Sequence, residues 1–248
     1  SYNKALAINP DLAAAHSNLA NVLIAYGRKS EAQEHFKKCL ELERGVNPIN
    51  PQHFSFRFIK KAKMNHDIEQ FRYLATLEHE TERFQSLAKT YDAVNAEIEW
   101  PSDDKMVIPL NDDHRQRLVD TYNRPIHVLE APEVNGFALS NTLDVEKITA
   151  DYFTHAFGMT SFDNLLNPIA LASLRHFLLG STIWFDFKYP GGYLGAMLND
   201  GLACPLLLQI ADDLRQTFPD IFKDHKLTQS WAYKYDSRLT GIEVHADF

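Results

Sequence analysis

A spacing limits the fold of this chain more than any single residue does. Tyr2, Ala5, Leu6 and Pro10 are echoed 34 residues later by Phe36, Cys39, Leu40 and Arg44. Large side chains recur as large and small ones as small, and only the proline is lost. A full helical pair fits between the two copies. Leu19, Ala20 and Leu23 share one face of a first helix, which Gly27 ends because glycine tolerates the left-handed cap conformation. Ala32, Phe36 and Cys39 follow at i, i+4 and i+7 on a second helix. A period of this length belongs to stacked helical hairpins, in which each unit buries its apolar face against the next.

The segment resembles the tetratricopeptide-repeat family at its small and large positions Leu19, Ala20, Leu23, Ala32, Phe36 and Cys39. It departs from that pattern at the first aromatic slot, filled by His16, and at the proline slot, filled by Arg44. The resemblance implies a partial repeat region over residues 1–46 that holds a protein or peptide on a concave surface. Residues 1–8 then read as the second helix of a repeat whose first helix precedes Ser1. Cys39 fills a small buried slot and is expected to pack rather than react.

Two prolines in residues 47–51 break the repeat, and residues 47–104 read as a helical linker. Ile68, Phe71, Leu74 and Leu77, then Phe84, Leu87, Tyr91 and Val94, fall at helical spacing over 67–78 and 82–97. The His66/Glu69 and His79/Glu82 pairs have metal-ligand spacing, but they stand among many charges and read as a polar helix face. The basic run 57–63 likewise reads as a solvated face.

From residue 105 short β-rich runs alternate with helices. Helices are expected over 111–122, 145–157, from the Asn167-Pro168 cap onward, and over 202–217. Leu171, Leu174 and Leu178 are expected on one face of the third, and Leu206, Leu207, Ile210 and Leu214 on one face of the fourth. Extended segments are expected at 124–129, 182–187, 193–198, 229–235 and 242–248. The last carries His245-Ala246-Asp247. In a strand, i and i+2 point to one face about 7 Å apart, so an imidazole and a carboxylate can converge on one ion.

The run Gln229-Ser230-Trp231-Ala232-Tyr233-Lys234-Tyr235, the turn at Gly241 and Ile242-Glu243-Val244-His245-Ala246-Asp247 together resemble the 2-oxoglutarate- and Fe(II)-dependent oxygenases of the prolyl 4-hydroxylase-like branch. The resemblance covers roughly residues 105–248. It implies an α+β chain: an α-helical tetratricopeptide repeat and helical linker, followed by the N-terminal part of a double-stranded β-helix (jelly roll) with supporting helices. It also implies Fe(II) held by His245 and Asp247, with 2-oxoglutarate as cosubstrate contacted by Tyr235 or, second, Tyr233. The family's second metal histidine and its basic residue for 2-oxoglutarate would lie beyond Phe248, so the chain alone is expected to be inactive. Core packing is an equal alternative for both tyrosines.

Charge and composition exclude other classes. Residues 1–100 carry 13 basic and 13 acidic side chains, whereas residues 101–248 carry 12 and 20, so the whole net charge of −8 lies in the second part. That balance argues against a nucleic-acid footprint. No apolar run is long enough for a membrane span; the nearest, 169–185, is interrupted by Arg175 and His176. Two cysteines, Cys39 and Cys204, cannot form a disulfide framework, so a reducing cytoplasm is the expected compartment. No GxGxxG or GxSxG run supports a nucleotide-sugar transferase or a serine hydrolase. A non-catalytic peptide-binding adaptor remains the alternative to the oxygenase.

Overall fold

The computed structural model describes residues 1–77, 80–189 and 191–239. In chain order the elements are α1 (Tyr2–Ile8), α2 (Ala13–Ala25), α3 (Lys29–Arg44), α4 (Phe54–Arg57), β1 (Phe58–Lys60), α5 (Lys61–Leu74), α6 (Thr81–Glu97), β2 (Val107–Pro109), α7 (Asp112–Leu118), α8 (Val145–Thr154), α9 (Pro168–Gly180), β3 (Tyr193–Met197), α10 (Pro205–Thr217), α11 (Pro219–Phe222) and β4 (Trp231–Tyr235). The class is α+β. Among the described residues the strands form only two antiparallel pairs, β1–β2 and β3–β4. The expected strand at 242–248 lies outside the described residues.

The chain divides into two compact units, each assembled from separated segments. Among the described residues the first comprises 1–37, 129–179 and 203–229; the second comprises 38–128, 180–202 and 230–239.

In the first unit α2 ends as the glycine predicts. Gly27 has φ +74°, its N–H donates to Ile24 O at 2.9 Å, and Arg28 N–H donates to Leu23 O at 2.9 Å. These two bonds satisfy the last carbonyls of the helix. Ala20 on α2 and Ala32 on α3 are fully buried, as small residues at close helix contacts must be. His16 and His35 join the two helices through their Nδ1 atoms at 2.8 Å. Asn167 caps α9 by accepting from Ala170 N–H at 2.8 Å. The buried stripe of α9 runs through Ala170 and Phe177, about two turns apart, and Leu171 is exposed. Leu171 lies about 100° round from Ala170 and so misses the core.

On α10 the buried face includes Leu206 and Ile210, but Gln209 and Asp213 are buried beside them. Both hold the loop at 134–138. Gln209 Oε1 accepts from Val134 N–H at 2.8 Å, and its Nε2 donates to Val134 O at 3.1 Å and Gly136 O at 2.7 Å. Asp213 Oδ2 accepts from Ala138 N–H at 2.6 Å. The loop thereby meets its backbone hydrogen-bonding needs without a strand partner.

The second unit is built on α5 and α6. Ile68, Phe71 and Leu74 from α5 pack with Phe84, Tyr91 and Val94 from α6, and Ile59, Leu118 and Tyr122 extend the same core. The basic run at 57–63 is not a solvated face: Ile59, Lys60 and Lys63 are all buried. Residues 58–60 pair with 107–109, which draws Lys60 into the interior, where its ammonium donates to Tyr189 O at 2.5 Å. The segment at 182–187 is extended but bridges β3 only between Asp186 and Gly195. Thr182 exchanges bonds with His127 instead: Thr182 N–H and Oγ1 both donate to His127 O, and Oγ1 accepts from His127 N–H. The hydroxyl stands where a ladder carbonyl would, so the two segments join at a point rather than along a strand.

Candidate functional site

β3 and β4 pair in the register Tyr193–Tyr235, Leu194–Lys234, Gly195–Tyr233 and Ala196–Ala232. Alternation along β4 sends Trp231, Tyr233 and Tyr235 to one face and Lys234 to the other. The first face is open. Trp231, Tyr233 and Tyr235 are 43%, 39% and 46% exposed. Their rings cluster with β3: Tyr193 stacks on Tyr235 at 4.7 Å, and Tyr233 meets Tyr189 edge-on at 5.1 Å and Tyr193 at 6.1 Å. The Tyr235 hydroxyl donates to Leu239 O at 3.2 Å, within the turn that follows the strand. Gly192 closes the same end of the pair from the β3 side. A Cβ there would stand 2.4 Å from Asp236 O, whose own N–H donates to Gly192 O at 2.9 Å. Of the predicted site residues, Tyr233 and Tyr235 therefore share one exposed face. His245 and Asp247 lie outside the described residues.

The opposite face of β4 meets a buried charged cluster. Lys234 Nζ donates to Gln70 Oε1 at 2.8 Å and to His66 Nε2 at 3.2 Å, and it stands 4.4 Å from the ring centre of Trp184. His66 Nδ1–H donates to Asp67 Oδ1 at 3.0 Å. Lys63 Nζ donates to both oxygens of Asp67 at 2.6 Å. These bonds assign the neutral imidazole with its proton on Nδ1, because Nε2 accepts from an amine.

The electrostatics follow from burial. Burial disfavours the charged form of Lys234 and brings its pKa down to about 7, against the pull of Asp67. Burial also lowers His66 to about 4, aided by the positive charge of Lys234 at Nε2 and opposed by the bond to Asp67. Lys63 is lowered by burial too. Burial pushes the Asp67 carboxyl up, but the Lys63 ammonium and the His66 Nδ1–H outweigh it and hold it below the ordinary aspartate value. A space of about 10 Å³ between α5 and the 182–185 segment, lined by His66, Asp67, Gln70 and Trp184, is room for one water.

Arg44, the residue at the lost proline slot, anchors the same unit. Its Nε and Nη2 take both oxygens of Asp200 at 2.5 and 2.6 Å. Its Nη1 donates to Asn123 O at 3.3 Å, and the guanidinium lies 4.2 Å from the Phe185 ring centre. A proline there could make none of these contacts.

Sequence reasoning missed this cluster. The signal was present: Lys63, Asp67, Gln70 and Leu74 follow the helical period along one face of α5, parallel to the apolar stripe. His66 and Glu69, at metal-ligand spacing but read from the sequence as a polar helix face, do not converge: His66 is drawn inward to Asp67 and Lys234, while Glu69 pairs with Arg238 at 2.7 Å. His79 lies outside the described residues.

Glu97, Asp113 and His114 bring ligand atoms within 4.8 Å of one another. The positive charge there is already supplied by Arg117, whose Nη1 donates to Glu97 at 2.7 Å and to Asp113 at 3.1 Å. Among known proteins the chain matches no family model, no curated protein and no solved structure.

Proposed function

We propose that the chain carries part of a 2-oxoglutarate- and Fe(II)-dependent dioxygenase of the hydroxylase type, and that its N-terminal helices bind a protein or peptide. One observation supports the reading above others. The tyrosine-bearing strand that the resemblance places ahead of His245 forms as β4, paired with β3, and it turns Tyr233 and Tyr235 to an open face instead of into a core. Aromatic core packing would have buried them.

The donor set fits the group in kind. One imidazole and one carboxylate, His245 and Asp247, suit non-haem Fe(II), and a phenol suits a carboxylate of 2-oxoglutarate. Bound iron would supply oxygen activation coupled to decarboxylation of 2-oxoglutarate, and the protein supplies position. Tyr235 has a hydroxyl to offer a carboxylate in exchange for Leu239 O, a neutral partner that a charged acceptor outcompetes. Tyr193 stacked on Tyr235 holds that ring in place. Lys234, on the reverse face of the same strand, ties β4 to α5 and so fixes the strand that carries the tyrosines.

The test is succinate formation by the intact protein with Fe(II), 2-oxoglutarate and O₂. Asp247→Ala should abolish turnover. Tyr235→Phe should raise the 2-oxoglutarate requirement by the loss of one hydrogen bond, about 0.5–1.5 kcal/mol. Unchanged succinate formation in Asp247→Ala overturns the reading.

A second reading, a non-catalytic peptide-binding module, is favoured by α1. That helix has no buried residue and leaves Ile8 87% exposed. The module would bind its partner equally well with iron removed by a chelator, whereas turnover by the oxygenase requires the metal.

A further inference from the structure

The second unit carries a groove of about 420 Å³, within the size range of small-molecule sites. It uses none of the residues of the proposed iron site. The half-buried Phe56 and the exposed Val119 line it over the core residues Leu118 and Tyr122, together with three arginines, Arg57, Arg115 and Arg124. Asp112 is the one carboxylate in the lining. The local balance is therefore +2, in a chain whose net charge is −8.

The three arginines are not equivalent. Arg124 is committed to the backbone, donating from Nε to Val119 O at 2.6 Å and from Nη1 to Gly45 O, and it lies over the Phe56 ring at 5.1 Å. It is a fixed positive charge beside the apolar wall. Arg57 is exposed, and among the described residues no carboxylate pairs with it. Among the described residues the Arg115 side chain is held only by Asp112, three residues away and 93% exposed, and its Nε–H is buried with no acceptor. A surface pair at that spacing adds little, because both charges stay solvated. A buried donor without an acceptor is costly, because nothing replaces its lost hydration. Arg115 thus loses by staying where it is, and an anion in the groove would give its planar fork an acceptor for Nε and Nη together.

We propose that this groove binds a small organic anion, a carboxylate on an apolar aromatic or branched body, with the carboxylate taken by Arg57 and Arg115 and the body lying on Phe56 and Val119. The apolar wall decides against inorganic phosphate, which has no apolar body to cover Phe56 and the exposed Val119. The arginine fork decides against a neutral ligand of the same shape.

Phenylacetate is the probe and phenylacetamide its uncharged twin. Titration of the full chain, followed calorimetrically and by the amide shifts of residues around the groove, should give saturable binding of phenylacetate. Phenylacetamide should bind about tenfold more weakly or worse. Arg57→Gln and Arg115→Gln should each weaken phenylacetate about tenfold at an unchanged melting temperature. Arg115→Lys, which keeps the charge and loses the fork, should fall between. Asp247→Ala should leave this binding unaltered, which separates the groove from the iron site. The proposal is overturned by any of four results: no saturable binding, equal binding of the amide, equal competition by inorganic phosphate, or affinity unchanged in both glutamine variants.

Discussion

Helices α10 and α5 each bury polar side chains one turn apart, and they satisfy them in different ways. On α10, Gln209 and Asp213 bond to main-chain groups of the 134–138 loop. The chain itself positions those partners, and the arrangement holds a loop. On α5, Lys63, Asp67 and His66 bond to one another and to Lys234 of β4. Those partners titrate, and the arrangement has charge states. Backbone partners make a structural clamp. Side-chain partners in low dielectric make a cluster whose protonation is coupled to folding, the kind of setting in which perturbed groups become useful.

The largest expected effect that separates the two comes from Asp67→Ala. It leaves Lys63 buried without its carboxylate and should cost about 3–5 kcal/mol in urea unfolding. The double variant Lys63→Met/Asp67→Leu should recover most of that loss, because it removes both charges. A loss from Asp67→Ala no greater than that of a surface pair would erase the distinction.

The pH dependence gives a second test. Folded Lys234 has its pKa near 7, below its ordinary value of 10.5. Between those two values the unfolded chain holds one more proton than the folded chain, so stability rises with pH across that window. The rise is about 1.4 kcal/mol per pH unit for one group. Lys234→Met should remove that slope when unfolding is followed from pH 7 to 9. His66, near 4 when folded and 6.5 ordinarily, should make stability fall as pH drops through that interval, and His66→Gln should flatten the acid limb. The α10 clamp predicts no comparable slope from Gln209.

Gln209→Leu tests the other side of the comparison. It strips three hydrogen bonds from the loop and should cost about 1–3 kcal/mol, with faster hydrogen exchange at Val134 and Gly136. Exchange spread evenly over the whole unit would mean that the clamp is not local. The smallest effect belongs to the exposed ion pair beside the same loop, Lys29 with Glu133 at 2.7 Å. Glu133→Gln should change stability by less than about 1 kcal/mol and lose even that in high salt.

Features whose causes lie within a few residues were determined by the sequence alone. The helical period of α5 and α6, the Gly27 stop, the Asn167-Pro168 start and the alternation that puts Tyr233 and Tyr235 on one face are all of this kind. Each depends on one turn of helix or one pleat of strand, and the residues that decide it are adjacent in the chain. Tertiary structure decided the rest. Lys60 and Lys63 are interior because 58–60 pairs with 107–109 and because Asp67 and Tyr189 await their ammonium groups. Leu171 is exposed because the core meets the Ala170–Phe177 stripe. Residues 182–187 meet β3 only at Asp186–Gly195, and Thr182 joins His127 through a hydroxyl in place of a ladder carbonyl. Which face of β4 stays open and which meets α5 is likewise beyond local reading: alternation separates the two faces, but only the partners packed against the strand choose between them. A charged side chain's burial is set by what it pairs with, and those partners stand up to 168 residues away, as His66 and Lys234 do across one cluster. Desolvation is offset only when the distant partner arrives, so the same residues read as a solvated surface until the fold brings them together.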